Sequence, residues 1–181
     1  MQPDDDKILW RANYEEFHRR FRHKACASLV LAKVDSEASC VLSAMLILSR
    51  PHESKLREER SPPLPEAEIV AAVAEANDSL RLPSERVPAV LLRLAADTSE
   101  LITCAGEGHG GPAYCVNMKR IIDLIRMKEV EAVVKERWGG QACRIFRLLL
   151  VKRQLEQKQI AEMAMLPMKV CRIAASHQFC S

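Results

Sequence analysis

Aromatic residues make up only 4 % of this 181-residue chain, and it has six glycines against nine prolines. That scarcity excludes the usual make-up of an all-β sandwich or barrel, which draws on Tyr, Phe, Trp, Thr and glycine turns. Long hydrophobic runs are missing too. The longest, Val41 to Leu48, falls far short of the ~20 apolar residues a membrane span needs. A basic leader is also missing, since Met1-Gln2-Pro3 is followed by Asp4-Asp5-Asp6. The expectation is a soluble, intracellular protein with no membrane partner. The seven cysteines are scattered, odd in number and without a CxxC, which is not a disulfide or zinc pattern. They read as reduced thiols acting as small hydrophobes, although Cys104 and Cys115 flank a turn and could face each other. A strong charge of one sign is absent: the net charge is +3 and the pI near 8.5. DNA contact is allowed by that balance and not demanded by it. Catalytic constellations are missing as well. His18 and His23 are five apart, one more than the spacing that turns two ligands the same way. His109 and His177 have no acid at ligand spacing. Glu129 and Glu131 fall on a charged helix face. No catalytic residue, metal site or cofactor is expected.

What is present is a helical sequence, 48 % apolar and rich in Leu, Ala, Glu, Lys and Arg. Trp10, Tyr14, Phe17 and Phe21 recur at spacings of four, three and four, one face of a helix. Arg11, Arg19, Arg20, Arg22 and Lys24 fall on its other faces, and Ala25–Val34 continues it or forms a second helix. Asp35 or Ser36 caps the next helix, to about Ser49. Arg50–Pro65 has four prolines and a charged run and is expected to be an exposed, mobile loop. Glu66–Ala76 is a short helix. Another runs from Ser84 or, because of Pro88, from nearer Val87 to about Ala96. Leu101–Cys104 and Ala113–Val116 bracket a glycine-rich turn and predict a β-hairpin. Asn117 caps a long helix that Gly139-Gly140 ends. Gln141–Gln154, Glu156–Met165 and a last helix from Met168 follow.

Three helices and then a glycine-tipped hairpin is the order of a winged helix, a helix-turn-helix variant. The fold class is therefore mainly α with a small β-hairpin, as tandem winged helices, the second incomplete. The expected organisation is an N-terminal helical segment (1–35), a winged helix with a mobile loop at 50–65 (36–117), a connecting helix (118–140) and a truncated second winged helix (141–181). Winged helices serve DNA reading and protein docking equally, so the fold does not choose. The third helix of the first copy turns Glu85, Arg86, Ala89 and Arg93 to solvent, and the second copy offers Lys169 and Arg172. These are thin, mixed faces for a duplex reader. The densest basic cluster is Arg19, Arg20, Arg22 and Lys24. It reads either as a solvated face paired with Glu15 and Glu16 or as a docking or phosphate-contacting patch. Phe146, Leu149, Leu150, Ile160 and Met163 of the second copy are expected to stay partly uncovered.

Three blocks carry a family resemblance: Asp5-Asp6-Lys7-Ile8-Leu9-Trp10-Arg11-Ala12-Asn13 followed by Phe17 to Arg22; Val133-Val134-Lys135-Glu136-Arg137-Trp138-Gly139 with Arg144 to Leu150; and Glu156 to Ile160 with Met163-Ala164-Met165-Leu166-Pro167. In order and spacing they resemble the family of RNA polymerase III winged-helix subunits, the largest members of the three-subunit initiation subcomplex. Tyr114-Cys115-Val116-Asn117 resembles the wing of that family. The resemblance implies tandem winged helices, of which this chain covers the second and the start of the third, as a fragment or truncated form. The Ser176–Ser181 tail departs from the family pattern. The resemblance also implies a nuclear, non-catalytic accessory subunit of a DNA-directed RNA polymerase that takes part in promoter recognition and DNA opening. Its partners would be the other RNA polymerase III subunits, especially the two others of the initiation heterotrimer and the clamp of the largest subunit, with DNA bound weakly. The alternative is a free-standing winged-helix DNA-binding regulator. Nothing in the resemblance calls for a cofactor.

Overall fold

The computed structural model describes residues 10–53, 58–76, 82–108, 111–169 and 171–172. The chain forms two compact units, residues 1–125 and 126–181, and each is taken by itself.

In the first unit Asp35 opens the central helix. Its Oδ1 accepts from the Ala38 N–H at 2.8 Å and caps α2 (Ser36–Ser49), leaving one fewer orphan donor at that end. Helix α2 is apolar nearly all round and buries Ala38, Val41, Leu42, Ala44, Met45 and Leu46. A helix of that kind is stable only in the middle of a core. Around it pack α1 (Tyr14–Lys33), α3 (Glu66–Glu75) and α4 (Val87–Ala96). Ala25–Val34 simply extends α1, which ends at Lys33. Helix α1 rests on Cys26, Leu29 and Val30, so the aromatic face at Tyr14, Phe17 and Phe21 is the one turned to solvent. Pro88 is accommodated because α4 starts at Val87, after a 3-10 turn over Ser84–Arg86. In the first turn its missing N–H would have had no helical partner.

The hairpin is present as β2 (Ile102–Gly108) and β3 (Gly111–Val116). Ile102 stands opposite Val116 and Cys104 opposite Tyr114, and a register shift between Cys104 and Gly106 bends the ladder. Cys104 and Cys115 do not face each other. Cys115 is opposite Thr103, and neighbouring residues of a strand point to opposite faces. Both remain free thiols.

In the part that is described, the stretch Arg50–Pro65 is exposed at Arg50, Pro51, His52, Glu59, Arg60 and Pro63, as its prolines suggest, but it is anchored in between. A 3-10 turn, Arg50–His52, follows α2, and Glu53, Ser61 and Leu64 are buried. Residues 54–57, part of the charged run, lie outside the described residues. Leu64–Pro65 forms a third strand, β1, alongside β3, and the sheet order is β1-β3-β2. Ser61 fastens this edge: its N–H donates to the Val116 carbonyl at 2.9 Å, and its Oγ accepts from the Val116 N–H at 2.8 Å. Proline is tolerated here because an edge strand has a side on which no ladder N–H is needed. Helix, strand, helix, helix, strand, strand, with the last strand central, is a complete winged-helix order.

Asn117 Oδ1 accepts from the Arg120 N–H at 3.2 Å and opens α5 (Met118–Lys152). Gly139, at φ 82° and ψ 176°, interrupts that helix where the glycine pair predicted an end. In the second unit Val134, Ala142 and Cys143 form one small buried cluster against Phe146. Ile145, Ala161, Ala164 and Cys171 form another, backed by Leu149 and Ile160. Helix α6 (Gln157–Ala164) begins where the Gln159 side chain accepts from the Glu156 N–H at 3.0 Å. It ends on left-handed Met165, with the Leu166 N–H returned to the Ala161 carbonyl at 3.0 Å. Residues 168–169 and 171–172 are helical, and the rest of the expected last helix lies outside the described residues. Of the residues expected to stay uncovered, Phe146, Leu149, Leu150 and Ile160 are half-buried and Met163 is exposed.

The Gly139 conformation is one that side chains rarely adopt, although a Cβ there would meet nothing within 4 Å. Gly139→Ala is therefore expected to lower the stability of the second unit by roughly 1–3 kcal/mol through backbone strain alone. Gly140→Ala, with equal space and no positive φ, is expected to leave it unchanged or raise it. Hydrogen exchange of amides 142–150 in the two variants measures the difference.

Candidate interaction surfaces

The basic cluster of α1 is divided between two tasks. Arg19 and Arg22 point inward, along with His23, and converge on Glu53 just beyond α2. Arg19 Nε lies 3.0 Å and an Arg22 terminal nitrogen 2.6 Å from Glu53 Oε2, and His23 Nε2 lies 3.1 Å from Oε1. Ser49 adds a longer contact from its hydroxyl to Oε1 at 3.3 Å. The Glu53 side chain is only 2 % exposed. A carboxylate so placed is tolerable because its charge is neutralised and its lone pairs are occupied. Glu16 forms an outer node, meeting Arg19 Nη1 at 3.0 Å, Arg20 Nε at 2.8 Å and also Arg50. Its bond from Arg20 holds the Glu16 carboxyl below the usual carboxylate range. Lys24 stays on the exposed face and makes no ion pair among the described residues.

Burial lowers the His23 pKa. Glu53 pulls the other way, but Arg19 and Arg22 already neutralise that carboxylate and repel a third positive charge. Burial likewise raises the nearby Cys26 thiol to about 11, so it is no nucleophile at neutral pH.

Arg86, just before α4, and Arg93, on it, are occupied in the same manner. Arg86 meets Glu37 at 2.8 Å and Arg93 meets Asp35 at 2.6 Å. Asp35 thus caps α2 with one oxygen and holds α4 with the other. What α4 leaves open beside these pairs is Ala89, Leu92 and Ala96. In the second unit Lys169 and Arg172 are exposed. The six candidate contacts of the first unit therefore do not form one patch: Arg19 and Arg22 meet at Glu53, Arg20 sits beside them at Glu16, Lys24 stays on the exposed face, and Arg86 and Arg93 lie along the start of α2; the other two, Lys169 and Arg172, belong to the second unit. Among the described residues no group of three or more His, Cys, Asp or Glu side chains could hold a metal. No described helix is long and apolar enough to cross a membrane.

Sequence reasoning missed Glu53, because one acid in a charged, proline-rich stretch carries no mark of burial. The signal was on α1: Arg19, Arg22 and His23 recur with Cys26 and Val30 at spacings of three and four, a helix face.

Glu53→Gln keeps the shape of the side chain and removes the charge that Arg19 and Arg22 share, leaving Glu16 as the remaining carboxylate on Arg19. Stability is expected to fall by about 3–5 kcal/mol, as on breaking other buried ion pairs, and urea unfolding measures it. His23 sets a pH dependence of known sign. Its folded pKa is depressed, so the unfolded chain takes up the proton first, and stability falls as pH drops below about 6.5. His23→Gln is expected to flatten the stability profile between pH 7 and 5, while the wild-type curve descends.

Comparison with known proteins matches the family RNA polymerase III subunit RPC82 over residues 2–125. The C-terminal winged-helix domain of POLR3C matches over residues 130–177. Among individual proteins, the DNA-directed RNA polymerase III subunit RPC3 of Homo sapiens is 33 % identical over 165 residues, 91 % of this chain. That of Danio rerio is 36 % identical over 165 residues, again 91 % of this chain. The subunit rpc3 of Dictyostelium discoideum is 30 % identical over 177 residues, 93 % of this chain and 26 % of its own length. The chain spans about 30 % of the length of the two vertebrate relatives. A match over residues 2–125, which take in the whole β1-β3-β2 winged helix, makes this chain a member of the RNA polymerase III subunit RPC82 family.

Proposed function

We propose that the chain acts as a non-catalytic part of nuclear DNA-directed RNA polymerase III, in initiation, by docking its winged helices on protein. Family membership supplies the polymerase. The observation that carries the docking mode is the pairing of Arg86 with Glu37 and Arg93 with Asp35. Specific duplex readers send Arg, Lys, Asn or Gln from this helix to base edges. Here both arginines bind acids of their own unit, and beside them on the helix lie the exposed Ala89, Leu92 and Ala96. Leu92, 63 % exposed, is the most prominent apolar side chain of the helix. Such a face suits a protein surface: the clamp of the largest subunit and the two other heterotrimer subunits are the partners this reading names. DNA is met weakly, through backbone contacts in the assembled enzyme.

Tagged chain added to nuclear extract is expected to recover polymerase III subunits, and Leu92→Glu to reduce the recovery while the fold holds. Recovery of no polymerase subunit overturns the reading. Alone, the chain is expected to bind duplex DNA at or beyond the weak end of the non-specific range, about 10⁻⁴ M at physiological salt. Nanomolar binding to one sequence, measured by fluorescence anisotropy, would instead make it a DNA-reading regulator.

A further inference from the structure

Helix α1 has two apolar faces, and the first unit uses one. Cys26, Leu29 and Val30 are buried, and the Arg19–Arg22–His23 cluster anchors the same side to Glu53. On the opposite side, roughly half a turn away, Tyr14, Phe17, Phe21 and Leu31 stand 72 %, 57 %, 69 % and 53 % exposed. Trp10 lies just ahead of the helix and is more exposed still. Positions 14, 17, 21, 24, 28 and 31 alternate by three and four, the seam of a coiled coil. They hold Tyr14, Phe17, Phe21, Lys24, Ser28 and Leu31. Helix α1 is 20 residues long, about 30 Å at 1.5 Å per residue. That is enough for nearly three heptads.

The charges around this seam choose the occupant. Arg11 precedes it, Lys24 lies within it and Arg20 flanks it, all exposed. Arg11 and Lys24 make no ion pair among the described residues. Of the two acids on α1, Glu16 is already held by Arg19, Arg20 and Arg50, and Glu15 is on the flank away from the aromatic side chains. A second copy of the chain would set basic rim against basic rim. We propose that the outer face of α1 docks a partner helix with an apolar heptad seam and carboxylates along its flanks, one of them opposite Lys24. The aromatic side chains supply the buried anchors. Lys24, a charge inside the seam, fixes register and rejects basic partners. This surface is separate from the α4 face, and the inference does not depend on the polymerase assignment.

The test uses the whole chain and a synthetic amphipathic helix of about three heptads, with Leu in the seam and Glu at the flanks. A second peptide has Lys in place of each Glu. Fluorescence anisotropy of the labelled peptides is expected to give micromolar binding of the Glu peptide and about ten-fold or weaker binding of the Lys peptide. Phe17→Ala with Phe21→Ala, both on an exposed face, is expected to weaken the Glu peptide about ten-fold or more, as loss of anchor residues does. Arg11→Glu with Lys24→Glu is expected to reverse the preference between peptides. Lys135→Glu with Arg137→Glu changes the net charge equally at exposed sites of the other unit and is expected to change nothing. Equal binding of both peptides, indifference to the phenylalanine substitutions, or an equal effect of the Lys135/Arg137 pair each overturns the proposal. So does sedimentation showing that the chain dimerises through Phe17 and Phe21.

Discussion

A single buried carboxylate fixes how the N-terminal helix meets the winged helix. Glu53 is nearly sealed from water, and its two oxygens are taken by Arg19, Arg22 and His23, with Ser49 beside them. Removing an ion from water is costly, so the carboxylate is stable there only while the two arginines stay in place. Both arginines and the neutral His23 come from one face of α1. The helix therefore cannot roll about its axis without stranding a charge, and its rotation is set by electrostatics as much as by the packing of Cys26, Leu29 and Val30. The outward position of Tyr14, Phe17 and Phe21 follows from that one constraint.

A similar arrangement recurs at the other end of α2. Asp35 closes the first turn with one oxygen and binds Arg93 with the other, while Glu37 takes Arg86. Acids at a helix start sit favourably near its positive end, and here they also remove the charge from α4. Exposed pairs of this kind add little stability by themselves. Their effect is on what the surface can bind. A winged helix with its recognition arginines engaged internally retains the shape of a DNA reader and offers little of the charge that duplex phosphates attract.

Much of the fold was legible because its signals are local. Asp35 before an apolar run, Pro88 near a helix start, Asn117 as a cap and the Gly139-Gly140 pair each act within a turn, and each stands where the sequence placed it. The strand Leu64–Pro65 was not legible. Two residues show no periodicity, and what makes them a strand is β3, nearly fifty residues away, with Ser61 bonded to Val116. Cys104 and Cys115 illustrate a related limit. A hairpin can be foreseen from its turn, but its register depends on where a bulge falls. Among the candidate contacts, Arg19 and Arg22 were recognised as basic and not as structural, because their partner lies some thirty residues on.

Charge in this chain therefore says less about nucleic acid than its distribution says about assembly. Arg19, Arg22, Arg86 and Arg93 are engaged in contacts within the first unit, Lys119 meets Glu59 there at 2.8 Å, and Arg147 meets Glu131 in the second unit at 2.6 Å. Once those pairs are set aside, the described residues of the first unit include two open surfaces that are apolar at the centre: the Ala89–Leu92–Ala96 face of α4 and the aromatic face of α1. They differ at the rim. The α4 face is edged by arginines already neutralised, so it favours partners by shape more than by charge. On the α1 face Arg11 and Lys24 make no ion pair among the described residues, so charge selects there as well. If the two faces take the partners proposed for them, a basic-flanked helix suited by shape to the α4 face is rejected at the α1 face, where Arg11 and Lys24 select by charge.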